Sequence, residues 1–182
     1  MSNKQSGKVA FITGANKGIG LETARGLGKL GFTVVIGSRD DAKGRAAADK
    51  LRSEGIESVE AVRFDVTRPE DHQEVARRLE GRHGRLDVLV NNAAVQLEDA
   101  DFGSSFNTTS AVAPEILRRT FETNFFSVVA LTQALLPLIR KAPAGRIVNL
   151  SSILGSLTLH SDTYSGIYDK NCLLYTSPSP RD

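Results

Sequence analysis

This sequence has almost no cysteine and no excess of charge of either sign. Cys172 is the only cysteine among 182 residues, so no disulfide can form within the chain and its stability must come from a packed core. The 23 basic and 21 acidic residues give a formal net charge of +2 without a long basic run, which disfavours nucleic acid as the main partner. The three histidines and the cysteine lack the spacing of a metal site, so we expect no bound metal.

Long apolar runs are also missing from the sequence. No stretch reaches the ~20 consecutive apolar residues that cross a bilayer. Residues 1–8 are polar and lead into a predicted strand rather than into the apolar part of a signal sequence. Together these absences predict a cytoplasmic protein without a membrane segment.

Apolar, β-branched runs alternate with segments of helical period from the amino terminus to about residue 150. This alternation is typical of a parallel sheet that is covered by helices on both faces. We therefore predict an α/β fold with a doubly wound, Rossmann-like parallel sheet in three αβα layers, incomplete at its carboxyl end. A chain of 182 residues, 40% of them hydrophobic, suits one such domain.

The pattern also predicts where the individual elements lie. Strands are expected at residues 8–13, 32–36, 59–64, 86–90 and 146–150. Helices are expected at 19–30, at 40–53, from the segment 67–70 towards 82, and within 115–140 as one long helix or two joined ones. Thr67 and Glu70 have the spacing of a capping box at the start of the third helix. Residues 96–110 are polar and predict a surface loop.

The last residues of the chain break this alternation where the next helix of an α/β unit is due. Pro178 and Pro180 stand two residues apart, in a segment with neither helical period nor strand alternation. The segment also resembles translated adaptor sequence from a sequencing library. We therefore predict a nucleotide-binding domain at residues 1–170, truncated at its carboxyl end, and an irregular, non-native tail at residues 171–182.

A glycine-rich turn directly follows the first predicted strand. Residues 13–20 read Thr-Gly-Ala-Asn-Lys-Gly-Ile-Gly. Glycines let a backbone approach a pyrophosphate closely, and a helix behind the turn offers unpaired N–H groups and its positive dipole end. The spacing G-x-x-x-G-x-G differs from the G-x-G-x-x-G of the common dinucleotide fingerprint, so the turn alone is a weak signal.

Further motifs follow the glycine turn in chain order. They are Asp65-Val66 at the end of the third predicted strand, Asn-Asn-Ala-Ala at residues 91–94, Asn124 in the long helix, and Val-Asn-Leu-Ser-Ser at residues 148–152. This set resembles the motifs of the short-chain dehydrogenase/reductase family, and in particular of its carbonyl-reductase-like branch. Motifs in the right order over ~160 residues are far more specific than any single match.

The resemblance implies an oxidoreductase that transfers hydride between a nicotinamide cofactor and a carbonyl or alcohol substrate. It leaves a homo-oligomeric full-length form open. Asp65 and Val66 would contact the adenine through a carboxylate and the backbone. The residues that the resemblance assigns to the cofactor are Gly14, Asn16, Lys17, Gly18, Ile19, Gly20, Arg39, Asp65, Val66, Asn92, Ala93 and Ala94.

The charge that follows the second predicted strand bears on the choice of cofactor. An NAD site normally has a carboxylate there for the ribose 2′-hydroxyl, whereas a 2′-phosphate needs a cation. Arg39 occupies this place, and Lys17 in the glycine turn adds a second cation. We therefore predict that NADP(H) is preferred. NAD(H) stays open, because Asp40 and Asp41 come next, although both also suit the start of a helix.

The resemblance further implies a catalytic tyrosine that is followed four residues later by a lysine. Asn124 and Ser152 match the family's water-holding asparagine and carbonyl-orienting serine. Tyr164 has a common family distance from Ser152, but none of the three tyrosines has its lysine. Tyr175 is the best placed for the branch that the chain resembles, and a chance match in the tail is an equal alternative.

We therefore predict catalytic roles for Asn124, Ser152 and Tyr175 in a reductase of carbonyl or alcohol substrates. The alternative prediction is a catalytically inactive nucleotide-binding fragment or binding protein. The presence or absence of a Tyr-x-x-x-Lys pair distinguishes the two, because the lysine cation brings a phenol of ordinary pKa ~10 towards the working pH.

Overall fold

The computed structural model describes residues 7–97, 113–153, 156, 158–159 and 162–165. The chain divides into two compact units. Residues 1–93 and 127–149 form the first unit, and residues 94–126 and 150–182 form the second. The predicted irregular tail at residues 171–182 lies outside the described residues.

Helices and strands alternate along the chain as predicted, with ends shifted by at most two residues. In chain order the elements are β1 (Val9–Thr13), α1 (Gly18–Lys29), β2 (Thr33–Ser38), α2 (Asp41–Ser53), β3 (Val59–Arg63), α3 (Pro69–His83), β4 (Val88–Asn91), α4 (Pro114–Phe121), a π-helical turn (Glu122–Phe126), α5 (Ser127–Arg140) and β5 (Arg146–Asn149). Of the two alternatives for residues 115–140, the joined helices are the correct one.

The strands of the first unit form one parallel sheet in the order β3-β2-β1-β4-β5. Phe11 at the centre of β1 pairs with Val35 on one side and Leu89 on the other. The chain runs outward from β1 to β3 and then crosses to β4, so the sheet changes direction between β1 and β4. In open parallel sheets, ligands bind beyond the carboxyl ends of the strands at such a point.

Two apolar clusters of buried residues flank this sheet, and together they form the predicted three layers. On one face, α1 and α2 pack over Ala10, Ile12 and Ile36. On the other face, α3 and α5 pack over Phe11 and Leu89. Alternate residues of β1 therefore point into different clusters, as the two-residue period of a strand requires. The predicted α/β fold is confirmed.

The starts of α2 and α3 differ in how they are capped. Asp40 caps α2, because its carboxylate accepts the N–H of Lys43 at 3.0 Å. The capping box predicted for α3 is wrong: the N-cap is Arg68, which makes no side-chain capping bond. The Thr67 hydroxyl instead donates to the carboxylate of Asp65 at 2.8 Å. Asp65 therefore engages the predicted cap, and α3 begins instead with Pro69, a residue whose fixed φ suits the first position of a helix.

One helical stretch among the described residues, Pro114–Arg140, is long and apolar enough by length and composition to cross a membrane. This finding corrects the expectation that no apolar run is long enough. The expectation counted uninterrupted apolar residues, whereas polar side chains such as Gln133 interrupt this stretch without making it polar on average. Within α5, Leu131, Leu135 and Leu138 are buried in the core against the sheet, which is the packing of a core helix.

The second unit holds α4 and the π-helical turn. Pro114 opens α4, as is common at the first turn of a helix, and Thr120 is buried. The predicted surface loop begins at Gln96 and Leu97, which have no regular secondary structure. The rest of that predicted loop lies outside the described residues.

Candidate dinucleotide-binding site

The glycine turn lies at the point where the sheet changes direction. Residues 14–17 connect β1 to α1, and residues 92–93 continue from β4, which is the neighbour of β1. The N–H of Ala15 donates to the carbonyl of Gly37 at 3.2 Å, so the turn is also tied to the end of β2. The structure thus brings two of the predicted motifs together at the carboxyl edge of the sheet.

Two glycines of the turn leave no room for a side chain. Gly14 has a φ of +65°, and a Cβ there would lie 3.0 Å from the Cα of Ala93. A Cβ on Gly20 would lie 2.5 Å from Nδ2 of Asn92 and 2.9 Å from the Cα of Ala15. Glycine is therefore needed for the close contact between the turn after β1 and the turn after β4.

Thr13 and Asn92 link these two turns by hydrogen bonds. The Oγ1 atom of Thr13 accepts the N–H groups of Asn92 at 3.0 Å and Ala93 at 2.9 Å. Its hydroxyl donates to the carbonyl of Val90 at 3.4 Å. The Nδ2 atom of Asn92 donates in return to the carbonyls of Thr13 at 2.8 Å and Gly14 at 3.2 Å. Thr13 is not among the site residues predicted from the sequence, although its position directly before the first glycine is a signal that points to it.

The amino end of α1 is open to an anion. Its N-cap, Lys17, is extended and makes no side-chain capping bond, and the first turn has no acidic residue. The first N–H groups of a helix have no partner within it, and the helix dipole attracts negative charge to them. Lys17, Gly18 and Ile19 are exposed, and Asn16 is half-buried. The residues predicted to bind a pyrophosphate therefore form a surface that a ligand can reach.

Lys17 and Arg39 are both exposed cations in the first unit. Within the part of the chain that the structure describes, neither forms an ion pair or a side-chain hydrogen bond. The two acids that kept NAD(H) open are engaged by α2, since Asp40 caps the helix and Asp41 pairs with Arg45. Both cations are thus available to an anionic ligand, whereas the neighbouring acids are already bonded.

Asp65 and Val66 form a turn between β3 and α3. Burial opposes ionisation of Asp65, but the N–H and hydroxyl of Thr67, helped by the charges of Arg39 and Arg63, hold the pKa of this carboxyl below its usual value. The carboxylate accepts both Thr67 groups, at 3.0 Å and 2.8 Å. The interaction with Arg39 shows that a predicted adenine contact and a predicted phosphate contact lie within electrostatic reach of each other.

A buried amide ties β4 to β5. Asn91 is paired with Asn149 in the sheet, and its Nδ2 donates to Oδ1 of Asn149 at 2.8 Å and to Oγ1 of Thr132 at 3.3 Å. Only 6% of Asn91 is exposed. These bonds join β4, β5 and α5 within the first unit, so they fix the register of β5 at Asn149, within the motif that ends in Ser152.

In the second unit, Asn124 lies in the π-helical turn, a form that is frequent at functional sites. Its Oδ1 accepts the N–H of Val95 at 2.9 Å, and its Nδ2 donates to the carbonyl of Val95 at 2.7 Å. The amide retains a second N–H and a second lone pair, which the predicted water-holding role would use. Ala94, next to Val95, is exposed.

The structure also describes the predicted catalytic residue Ser152, and Tyr164, the tyrosine at a common family distance from it. Ser152 is half-buried in the second unit. Tyr164 is 97% exposed. Tyr175 lies outside the described residues, so the catalytic roles of Asn124, Ser152 and Tyr175 stay predictions. Among the residues that the structure describes, no group of three or more His, Cys, Asp and Glu side chains is placed to hold a metal ion.

A parallel sheet with a glycine turn and an open helix end at its change of direction defines a dinucleotide-binding α/β domain. The family model for short chain dehydrogenases matches residues 8–165. This chain therefore belongs to the short-chain dehydrogenase/reductase family, and the resemblance inferred from the motifs is confirmed.

Individual relatives agree with this assignment. Short-chain dehydrogenase/reductase 1 of Saponaria officinalis is 35% identical over 164 residues, which cover 82% of this chain and 54% of the relative. Carbonyl reductase (NADPH) 3 of Rattus norvegicus is 37% identical over 155 residues, 85% of this chain and 52% of the relative. A metagenomic short-chain oxidoreductase solved in complex with NADP has a TM-score of 0.72 and 34% identity, over 83% of this chain and 65% of that one. The chain spans about half the length of the curated relatives it matches.

Proposed function

We propose that this chain is the cofactor-binding part of an NADP(H)-dependent oxidoreductase that acts on a small carbonyl or alcohol substrate. The observation that carries the proposal is the contact of Gly14 and Gly20 with Asn92 and Ala93, beside the uncapped end of α1. The first N–H groups of α1 have no side-chain cap and lie at the change of direction of the sheet, where a pyrophosphate fits. Membership of a dehydrogenase family favours the oxidoreductase over a binding protein.

The residues present fit a phosphorylated dinucleotide. Gly14 and Gly20 have no Cβ, so the turn after β1 can lie directly against the turn after β4. Residues 14–20 would hold the pyrophosphate. Arg39 and Lys17 would hold the 2′-phosphate, because both are exposed and without an ion pair among the described residues. Binding of NADP by a solved relative supports NADP(H) as the preferred cofactor, with NAD(H) as the second.

The bound nicotinamide would supply or accept a hydride. The protein must then exchange a proton with the substrate oxygen, and we assign this proton transfer to Tyr175. Ser152 would orient the carbonyl, and Asn124 would hold a water. Tyr175 is followed four residues later by Ser179 rather than by lysine, so its phenol lacks the cation that would bring its pKa towards neutral. We therefore expect the 182-residue chain to bind cofactor without reducing a carbonyl.

Three broader features belong to the same proposal. Residues 1–170 form the NAD(P)-binding domain and residues 171–182 a separate tail, which is supported by the end of the family match at residue 165. The location is cytoplasmic, as suits a chain whose one cysteine cannot form an internal disulfide. A full-length form is homo-oligomeric, and the four exposed residues of β5 offer a surface for further strands or a subunit.

Paired titrations of NADPH and NADH into the wild type and Arg39→Asp test the cofactor assignment. Loss of a charge-assisted phosphate contact costs about 1.5 to 3 kcal/mol, so NADPH affinity should fall roughly tenfold or more while NADH affinity changes little. Arg77→Asp is the matched control, since it makes the same charge change on an exposed residue of α3 that pairs with Glu74 of the same helix. Equal affinity of the wild type for the two cofactors would overturn the assignment.

A further inference from the structure

We propose that His72, together with Asp71, positions the adenine-binding turn formed by Asp65 and Val66. The inference rests on the proposed function, because it takes this turn as the adenine site. The motifs of the sequence assign a role to neither residue of α3. Both lie near the amino end of that helix, in the same compact unit as the turn.

His72 bonds to the backbone of the turn from within the core. Its Nε2 lies 2.6 Å from the carbonyl oxygen of Val66. A carbonyl can only accept, so Nε2 must carry a hydrogen and donate it. Only 4% of the residue is exposed, and its ring packs on Phe64 with the centroids 5.8 Å apart. Phe64 in turn packs edge-on against Phe11, with the ring centroids 5.2 Å apart. The imidazole therefore contacts the central strand β1 through Phe64.

Asp71 bonds to the neighbouring residue of the turn. Its Oδ2 accepts the N–H of Asp65 at 2.8 Å and also lies 3.1 Å from Nη1 of Arg63. The Asp71 side chain is 11% exposed. Two consecutive residues of α3 therefore hold two consecutive residues of the turn, Asp71 through an N–H and His72 through a carbonyl. On the other side of the turn, the N–H and the hydroxyl of Thr67 donate to the Asp65 carboxylate.

These bonds control the peptide groups on both sides of the residues that would read the adenine ring. A hydrogen bond to a base depends on distance and angle, and small displacements of a positioning group weaken it strongly. Without the His72 donor, the Val66 carbonyl is left unsatisfied beside the core and the turn must shift to find a partner. A purely structural role would lower stability alone, whereas a positioning role changes how well adenine is distinguished from another base.

The test compares NADPH with its hypoxanthine analogue, in which oxygen replaces the adenine amino group. The dissociation constants of both are measured for the 182-residue wild type, His72→Leu and His72→Gln. We expect the wild type to bind NADPH about tenfold more tightly than the analogue, the scale of one hydrogen bond. His72→Leu replaces the imidazole donor with an apolar side chain that still fills the buried position, and should reduce that ratio at least threefold. His72→Gln offers an amide N–H and should restore it to within about twofold.

Leu79→Ala is the matched control, because Leu79 is a buried residue of α3 in the same apolar cluster as Phe64 and Val66, and its apolar side chain makes no polar contact with the turn. It should lower the melting temperature and leave the ratio unchanged. Asp71→Ala removes the acceptor of the Asp65 N–H and should lower the ratio as His72→Leu does. If His72→Leu does not fold, Asp71→Ala alone tests whether α3 positions the turn. Unchanged ratios in the folded His72→Leu and Asp71→Ala variants would overturn the inference while leaving the proposed function intact.

A wild type that binds NADPH without base preference would overturn the adenine assignment of the turn and the inference together. A wild type that binds neither ligand would overturn the proposed function itself.

Discussion

Gly20→Ala should weaken both the fold and dinucleotide binding. The added Cβ would lie 2.5 Å from Nδ2 of Asn92, 2.9 Å from the Cα of Ala15 and 3.0 Å from the carbonyl oxygen of Gly14. All three distances are well below the ~3.5–4.0 Å of relaxed carbon contacts. The Asn92 amide is the group that can move, and its movement would break its bonds to the carbonyls of Thr13 and Gly14.

The net effect follows from three contributions. Two lost hydrogen bonds cost about 1 to 3 kcal/mol. Alanine returns about 1 kcal/mol relative to glycine in a helix. The backbone atoms of Ala15 and Gly14 must shift as well, which adds strain of the kind that overpacking causes, about 1 to 3 kcal/mol. We therefore expect the free energy of unfolding to fall by about 3 kcal/mol.

The same helix supplies the control. Gly26 is exposed, and a Cβ there would meet nothing within 4 Å, so Gly26→Ala should gain up to about 1 kcal/mol. Urea denaturation measures both variants, and titration with NADPH should show at least tenfold weaker binding for Gly20→Ala alone. Equal stability and equal NADPH affinity of the two variants would refute the reasoning.

Three other outcomes can be measured. Thr13→Val should cost about 2 to 4 kcal/mol in urea denaturation, because the N–H groups of Asn92 and Ala93 lose their acceptor, while Thr13→Ser should stay near the wild type. Since the pKa of Asp65 is held below its ordinary 3.8, its ionised form stabilises the fold above that pH, and the contribution is lost as the pH falls through the lowered pKa. The stability difference between wild type and Asp65→Asn should therefore be constant at neutral pH and shrink in acid; a difference that persists at the acid end would contradict the assignment. The 182-residue chain should oxidise NADPH only at background rate with aldehydes, ketones or quinones, and robust oxidation that Ser152→Ala abolishes would show that another group supplies the proton.

The sequence by itself determined the order of the elements and the place of the glycine turn. Strand and helix periods are local properties, so the five strands and their helices could be predicted to within two residues. The glycine turn and the exposed cation Arg39 could be located for the same reason, because each is defined by adjacent residues at the end of a strand, and their roles in cofactor binding stay predictions.

The tertiary structure decided which distant groups meet. Thr13 and Asn92 are 79 residues apart in the chain, and their bonds exist because β1 and β4 are neighbours in the sheet. The capping box failed because Asp65 competes for the Thr67 hydroxyl, and the apolar helix α5 proved to pack in the core. His72 bonds Val66 only because α3 packs beside Phe64. Strand order and side-chain competition depend on the packed chain as a whole, and a local pattern does not encode them.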